Sequence, residues 1–325
     1  MDVFWAIALL IVGLILIVKG GDLFVDAAAW MAEVSGIPKF IIGATVVSLA
    51  TTLPELLVSV FAAAEGKVEM AAGNAIGSVT ANIALIMGLS VICLPAVIRR
   101  RQFGLKAALM LLSAAILAAV SLLFHEIALP VSLVLILILA FFVWDNIREA
   151  KISMEAAAAT GTLDRPARRI VLINAVKFLL GAGGIVLGAR LLVDNGSALA
   201  ALAGVSEGII SVTIIAVGTS LPELTTTITA IVKKQSSLSI GNILGANIID
   251  LTLILPASAL VSGGALPVRP QTAFLDLPTC LIVGLLAVIP PLISGKFRRG
   301  QGVLMLLCYA AYLVVLCGGW IVAIA

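Results

Sequence analysis

The sequence predicts an all-α polytopic membrane protein of about ten transmembrane helices, arranged as two inverted five-helix repeats. Three observations carry that prediction. The composition is one that only lipid solvates, the chain is a succession of apolar runs long enough to cross a bilayer, and one pair of motifs returns at a fixed interval.

Of the 325 residues, 62% are apolar and only 11% charged, whereas soluble domains average about half apolar and a quarter charged. A helix needs about 20 apolar residues to cross a hydrocarbon layer of roughly 30 Å. Ten such runs are read, at about 3 to 25, 37 to 64, 69 to 97, 104 to 124, 127 to 147, 170 to 193, 205 to 232, 237 to 261, 271 to 293 and 301 to 324. The first run has no basic front end and no cleavage pattern leading into a polar chain, so it reads as a retained helix and not a signal peptide. Cys93, Cys280, Cys308 and Cys317 fall in or beside apolar runs without a CxxC pair and read as small buried hydrophobes.

Basic residues set the expected orientation. Of 20 Lys and Arg, 15 fall in alternate loops, among them Lys39, Arg99, Arg100, Arg101, Lys106, Arg148, Lys151, Lys233, Lys234 and Lys296, while only Lys67 and Arg269 fall in the opposite set. By the positive-inside rule, both termini are expected outside and the central loop in the cytoplasm of a plasma (inner) membrane. That loop, 148–169, is too short to bury a core and is expected to be a linker between repeats at 1–147 and 170–325.

The internal repeat is read from SLATTLPEL at 48–56 against AVGTSLPEL at 216–224, and from GNAIGSVTAN at 73–82 against GNILGANIID at 241–250. Both pairs are 168 residues apart, giving motif regions 48–82 and 216–250. Five helices separate equivalent points, and because five is odd the second copy is inverted. Inverted repeats belong to secondary transporters, whose sites lie near the bilayer midplane where the repeats meet.

Glu55 and Glu223 sit deep in apolar runs, where a carboxylate persists only when paired, protonated or bound to a cation. Each follows a proline. Pro54 and Pro222 have no N–H, which orphans the carbonyls of Ala50 and Gly218 and predicts a helix break near Thr51 and Thr219. A hard divalent ion takes six to eight oxygens. Two bidentate glutamates supply about four and the freed carbonyls about two more. Emptied, such a site holds mutually repelling carboxylates that draw in other cations. Replacement of one cation by another is therefore expected, and not a leak.

These motifs resemble the two alpha-repeats of the sodium/calcium exchanger family of calcium/cation antiporters, over the whole chain. The resemblance implies alternating access, with the first and sixth helices sliding past a core that holds one Ca2+ or several Na+. It implies that Glu55, Glu223, Thr51 and Thr219 bind the ions, joined by Ser78, Ser220, Asn82 and Asp250, with Ser48 and Ala216 at the heads of the two motifs. Ala50, Val79 and Ala246 stand where the family has Gly, Asn and Ser. The last two remove oxygens, so Na+ and H+ both remain open as the counter-ion. No cofactor and no nucleic-acid partner are expected, and a single chain is expected to suffice for transport.

Other classes fit less well. An intramembrane protease needs a Ser and His pair or paired aspartates at depth, and the only histidine, His125, falls in a loop. A calcium channel usually draws its acidic ring from several subunits or repeats.

Overall fold

The computed structural model describes residues 3–160, 166–202, 218 and 220–317. Its helices are α1 (Val3–Ser35), α2 (Lys39–Ala64), α3 (Val68–Cys93), α4 (Arg100–Phe124), α5 (Leu129–Ala159), α6 (Arg168–Leu202), α7 (Leu221–Val232), α8 (Ser236–Val261), α9 (Thr272–Ser294) and α10 (Arg299–Cys317). Among the described residues, nine of these are long and apolar enough to span a membrane. The tenth, α7, is the described part of the run expected at 205–232. Two short strands, β1 (Glu126–Ala128) and β2 (Ala265–Pro267), pair antiparallel.

The halves echo each other at the 168-residue interval well beyond the motifs. The first segments of α3 and α8, Val68–Ala81 and Ser236–Ile249, are 14 residues each, and both pass into a π-helical turn, Asn82–Met87 and Asp250–Ile254. The α2–α3 and α7–α8 turns close alike. The N–H of Lys67 reaches the carbonyl of Ala62 at 2.8 Å, and that of Gln235 reaches Ala230 at 2.7 Å. Both turns pass through a left-handed residue, Gly66 at φ 76° and Lys234 at φ 56°.

Strand contacts follow the same rule. Ala128 pairs with Ala265, and Val97 forms an isolated bridge with Lys296. Exchanging each residue of the second contact for its mate one interval away turns 97 into 265 and 296 into 128, so the two contacts are two-fold mates. The first joins the α4–α5 and α8–α9 loops, beside the Glu69–Arg269 ion pair and the Val268 N–H bonded to the His125 carbonyl. The second joins the α3–α4 and α9–α10 loops, where Arg100 also donates to the Ile293 carbonyl at 2.6 Å. Chain direction alternates between successive helices, which puts the two latches at opposite ends of the bundle.

α1 and α6 lie against one another through glycines, with the same two-fold logic. A Cβ on Gly13 would come 2.9 Å from the Gly188 carbonyl oxygen, and one on Gly20 would come 2.9 Å from that of Gly181. Gly13 and Gly181 are repeat mates, as are Gly20 and Gly188, so the contact is reciprocal. In lipid, helices gain little from hydrophobic exclusion and associate where small residues let backbones approach. At 33 and 35 residues, α1 and α6 would run about 50 Å at 1.5 Å per residue, well beyond the hydrocarbon. Lys177 is exposed in the third turn of α6, where this overhang lets it reach headgroup water.

Three expectations are corrected. The residues read as the start of a linker, 148–159, continue α5 to Ala159, because the alanine-rich stretch there is a strong helix former. Lys106, expected in a loop, is fully buried in the second turn of α4, whose helix begins at Arg100. It pairs with Asp145 at 2.5 Å and Glu149 at 2.9 Å on α5, which is the company a buried ammonium requires. Finally, α2 is not broken near Thr51. Its α-helical turns run from Ser48 through Pro54 to Ala64, and the irregular backbone is a π-turn upstream at Gly43–Val47.

Lys233, in the turn after α7, ties that end of the bundle to α1 through Asp26 at 2.7 Å and Asp22 at 3.3 Å. Partial burial pulls its pKa down, and the two aspartates outweigh that and leave it above the ordinary lysine value. A raised lysine pKa means that the tether is fully present below the unfolded value and is lost only as pH climbs through the folded one, so it persists at neutral pH.

The α1–α6 contact predicts that Gly188→Leu, which forces a side chain toward the Gly13 backbone, costs about 1–3 kcal/mol of packing. A fall of several degrees in the melting temperature of the detergent-solubilised protein is expected. An unchanged melting temperature would mean that the helices separate freely.

Candidate functional site

Four helices bring the motif residues together. α2 carries Thr51, Thr52 and Glu55, and α7 opens with Ser220 as its N-cap, Pro222 in the first turn and Glu223 after it. α3 and α8 supply Asn82 and Asp250, each the first residue of its π-turn. A π-turn shifts the backbone hydrogen-bond register and re-aims side chains, which is why such turns gather at functional sites.

Glu55, Glu223 and Asp250 are each 1% exposed. The carboxylates of Glu55 and Glu223 lie within hydrogen-bonding reach of each other, and Asp250 acts electrostatically on Glu55 and is acted on by Glu223. Thr51 and Thr52 stand beside the Glu223 carboxylate, yet neither closes a hydrogen bond to it, and among the described residues both Glu223 oxygens lack a donor. Glu55 Oε2, Asp250 Oδ1, Asn82 Oδ1, Ser220 Oγ and Thr52 Oγ1 are likewise buried without a partner. Buried polar atoms are nearly always satisfied in native proteins, so a group of unpartnered oxygens in one region marks a place for a positive guest. Among the described residues no three His, Cys, Asp or Glu side chains converge tightly enough to hold a metal by themselves. The donor set is therefore mixed, with carboxylate, amide and hydroxyl oxygens that suit a hard cation.

The region is braced across the repeat boundary. Thr51 Oγ1 donates to Asn242 Oδ1 at 3.3 Å, Asn242 Nδ2 donates to Thr226 Oγ1 at 3.0 Å, and Thr226 Oγ1 donates to the Glu223 carbonyl at 3.0 Å. The helices can come this close because Gly241 and Gly245 of α8 lie against the Phe40 and Ala44 carbonyls of α2. A Cβ on Gly241 would sit 2.2 Å from the first, and one on Gly245 would sit 2.5 Å from the second.

Other candidates are placed differently. Ser48 spends its hydroxyl on the Thr45 carbonyl at 3.1 Å and turns toward Gly245. Ser78 is buried on α3, one turn before Asn82. Thr219 and Ala216 lie outside the described residues. Val79 and Ala246 are fully buried and present no oxygen. Two residues were missing from the sequence-derived set. Thr52 is the repeat mate of Ser220, a correspondence that identifies it from sequence alone. Asn247, whose Oδ1 is also unpartnered among the described residues, is the repeat mate of Val79, and it keeps the amide that the family resemblance has at position 79.

A polytopic helical bundle with unpartnered oxygens gathered between four helices defines an integral membrane transporter. Comparison with known proteins makes the class specific. The sodium/calcium exchanger protein family matches over residues 5–147 and 173–318, and the chain belongs to that family. It is 34% identical over 319 residues to inner membrane protein YrbG of Escherichia coli K12, covering 96% of each chain. It is 27% identical to the sodium/calcium exchanger MaX1 of Methanosarcina acetivorans, covering 95% of this chain and 97% of that protein. The structure of the sodium-calcium exchanger NCX_Mj soaked with 2.5 mM Na+ and 10 mM Sr2+ superposes with a TM-score of 0.84 at 27% identity, over 96% of this chain and 99% of the other. This is a multi-pass integral membrane exchanger and not an enzyme.

The Asn242 brace predicts that Asn242→Ala, which removes the link between Thr51 and Thr226 while each hydroxyl keeps its backbone acceptor, costs about 0.5–1.5 kcal/mol. It is expected to lower thermal stability and to weaken ion-dependent protection in the same variant. Full protection by ion at wild-type concentrations would remove the brace from the site.

Proposed function

We infer that the chain is a secondary active antiporter that exchanges Ca2+ for Na+ by alternating access. Ca2+ is held between Glu55 and Glu223, with Thr51, Thr52, Thr219 and Ser220 around it. Asp250, Asn82 and Ser78 complete the positions taken by monovalent ions. The observation that carries this reading is the approach of Glu55 and Glu223, one from each half, in a buried region where, among the described residues, both Glu223 oxygens lack a donor. Two negative charges neutralise one divalent ion. Left empty, they repel each other and favour refilling by other cations before the protein changes face. Family membership and the names of MaX1 and NCX_Mj support the same pair of ions.

Orientation and location follow the same reasoning. The loop basics place the latch at Val97 and Lys296 on the cytoplasmic side and the β1–β2 pairing outside, and the name of the YrbG relative supports an inner membrane.

One observation favours protons as the counter-ion. Val79 and Ala246, both fully buried, stand where the family resemblance has oxygen-bearing side chains, which leaves fewer ligands for Na+ while the carboxylates still accept protons.

In proteoliposomes, Ca2+ uptake is expected to follow an outward Na+ gradient and to fall to the level of empty liposomes in Glu55→Gln and in Glu223→Gln. Uptake driven by a proton gradient alone would select the second reading, and flux indifferent to both gradients would end the antiport reading. Ala246→Ser is expected to raise apparent Na+ affinity. No change there would count for protons.

A further inference from the structure

Another buried carboxylate lies outside the ion region and, among the described residues, has no basic partner. Asp276 ends the π-turn Thr272–Asp276 at the start of α9, near the end of the bundle that carries the β1–β2 pairing. It is 5% exposed. It is not a helix cap, since its side chain makes no cap hydrogen bond and the helix is continuous through it. Thr272 Oγ1 donates to its Oδ2 at 3.0 Å, and the Tyr312 hydroxyl on α10 donates to its Oδ1 at 3.1 Å. Gln271, exposed one turn earlier, is also within reach of the carboxylate and connects it to the membrane face. None of the ion pairs among the described residues includes Asp276.

An intramembrane acid without a basic partner carries a proton or a cation, and the surroundings distinguish the two. In the ion region, among the described residues, both carboxylate oxygens of Glu223 and the side-chain oxygens of Thr52, Ser220 and Asn82 are left without a partner. At Asp276 every oxygen is engaged, by hydroxyls that can donate to a carboxylate or accept from a carboxylic acid merely by rotating. Such a cluster already satisfies its carboxylate with neutral donors and accepts a proton at the cost of one hydroxyl rotation.

The cluster also reaches toward the ion region. Cys280, one turn along α9, interacts electrostatically with both Asp276 and Asp250 and lies beside Thr80 of α3. Among the described residues the titratable groups around Asp276 are few. α10 contributes Tyr312 and Tyr309, and α9 contributes Cys280. On α3, Glu69 at the outer end is paired with Arg269, and the π-turn at Asn82 carries no ionisable side chain. On α4, Lys106 near the opposite end is held by Asp145 and Glu149.

We propose that Asp276, Thr272 and Tyr312 form a proton-binding site, distinct from the ion region, whose occupancy sets the affinity of the exchanger for its monovalent ion. When Asp276 is ionised it adds negative potential at Asp250 and favours a cation there. A proton taken from water at the Gln271 end converts the carboxylate to a carboxylic acid, removes that potential and weakens cation binding. The sign is therefore a loss of monovalent-ion affinity as pH falls. A unit charge about two interhelical spacings away, ~20 Å, changes a binding constant about fourfold at an effective dielectric near 20.

The test has a transport arm, which rests on the exchange reading, and an arm that does not. Na+-dependent Ca2+ flux in proteoliposomes is measured from about pH 4, the ordinary aspartate value, to about pH 9. The wild type is expected to lose apparent Na+ affinity about fourfold toward acid. Asp276→Asn is expected to have the weaker affinity already at alkaline pH, so that it lacks the Asp276 part of the transition, and Tyr312→Phe to move that part to higher pH, because the carboxylate has lost a donor. A pH profile for Asp276→Asn that superimposes on the wild type would overturn the proposal. Infrared difference spectra between acid and alkaline protein report the carboxylic-acid carbonyl directly, whatever ion is transported. A band lost in Asp276→Asn and kept in Glu55→Gln is expected. Absence of any such band in the wild type refutes the site even if exchange is normal. Should Asp276→Asn fail to fold, a shift of the band in Tyr312→Phe supports the assignment, and an unshifted band refutes it.

Discussion

The structure depends on holding like charges together away from water. Glu55 and Glu223 come within reach of each other in a region excluded from solvent, with Asp250 close enough to feel both. Nothing among the described residues neutralises them by ion pairing, in contrast to Lys106, which carries its own two acids. A carboxylate pair of this kind is costly unless something positive joins it, and that cost links the fold to cation exchange. The surrounding architecture works to keep the pair in place. Glycines let α8 lie against the backbone of α2, the Asn242 brace ties Thr51 to the α7 segment, and π-turns aim Asn82 and Asp250 from the flanking helices.

Two-fold symmetry explains how one chain builds such a region economically. A single interval relates the motifs, the π-turns, the helix-ending turns, the end latches and the glycine contact of α1 with α6. The departures from symmetry are as informative as the matches. Asn247 has an amide where its mate Val79 has none, and Ser78 has a hydroxyl where Ala246 has none. The oxygens around the paired glutamates are therefore unequally shared between the halves.

Much of this was legible in the sequence, and what was not has a common cause. Helix number and the two glutamates could be read because each reflects a local property, hydropathy or a proline–glutamate motif. Thr52 could be read from its mate Ser220. The π-turns at Asn82 and Asp250 have no residue signature and arise from packing. Pro54 removes a donor, which predicts a break near Thr51, yet neighbouring helices hold the backbone helical there and the irregularity appears at Gly43–Val47 instead. The burial of Lys106 and the Thr272–Asp276–Tyr312 cluster each join residues more than thirty positions apart on different helices, and periodicity carries no information about such pairings.

The left-handed turn shared by Gly66 and Lys234 has a wider meaning. Glycine adopts that conformation freely, while a lysine gives up on the order of 1 kcal/mol to do so. The second half retains the shape although the residue suited to it has gone. The joint between two spans is therefore dictated by the geometry of the helices it connects, and the amino acid at the corner is a tenant that the surroundings can replace.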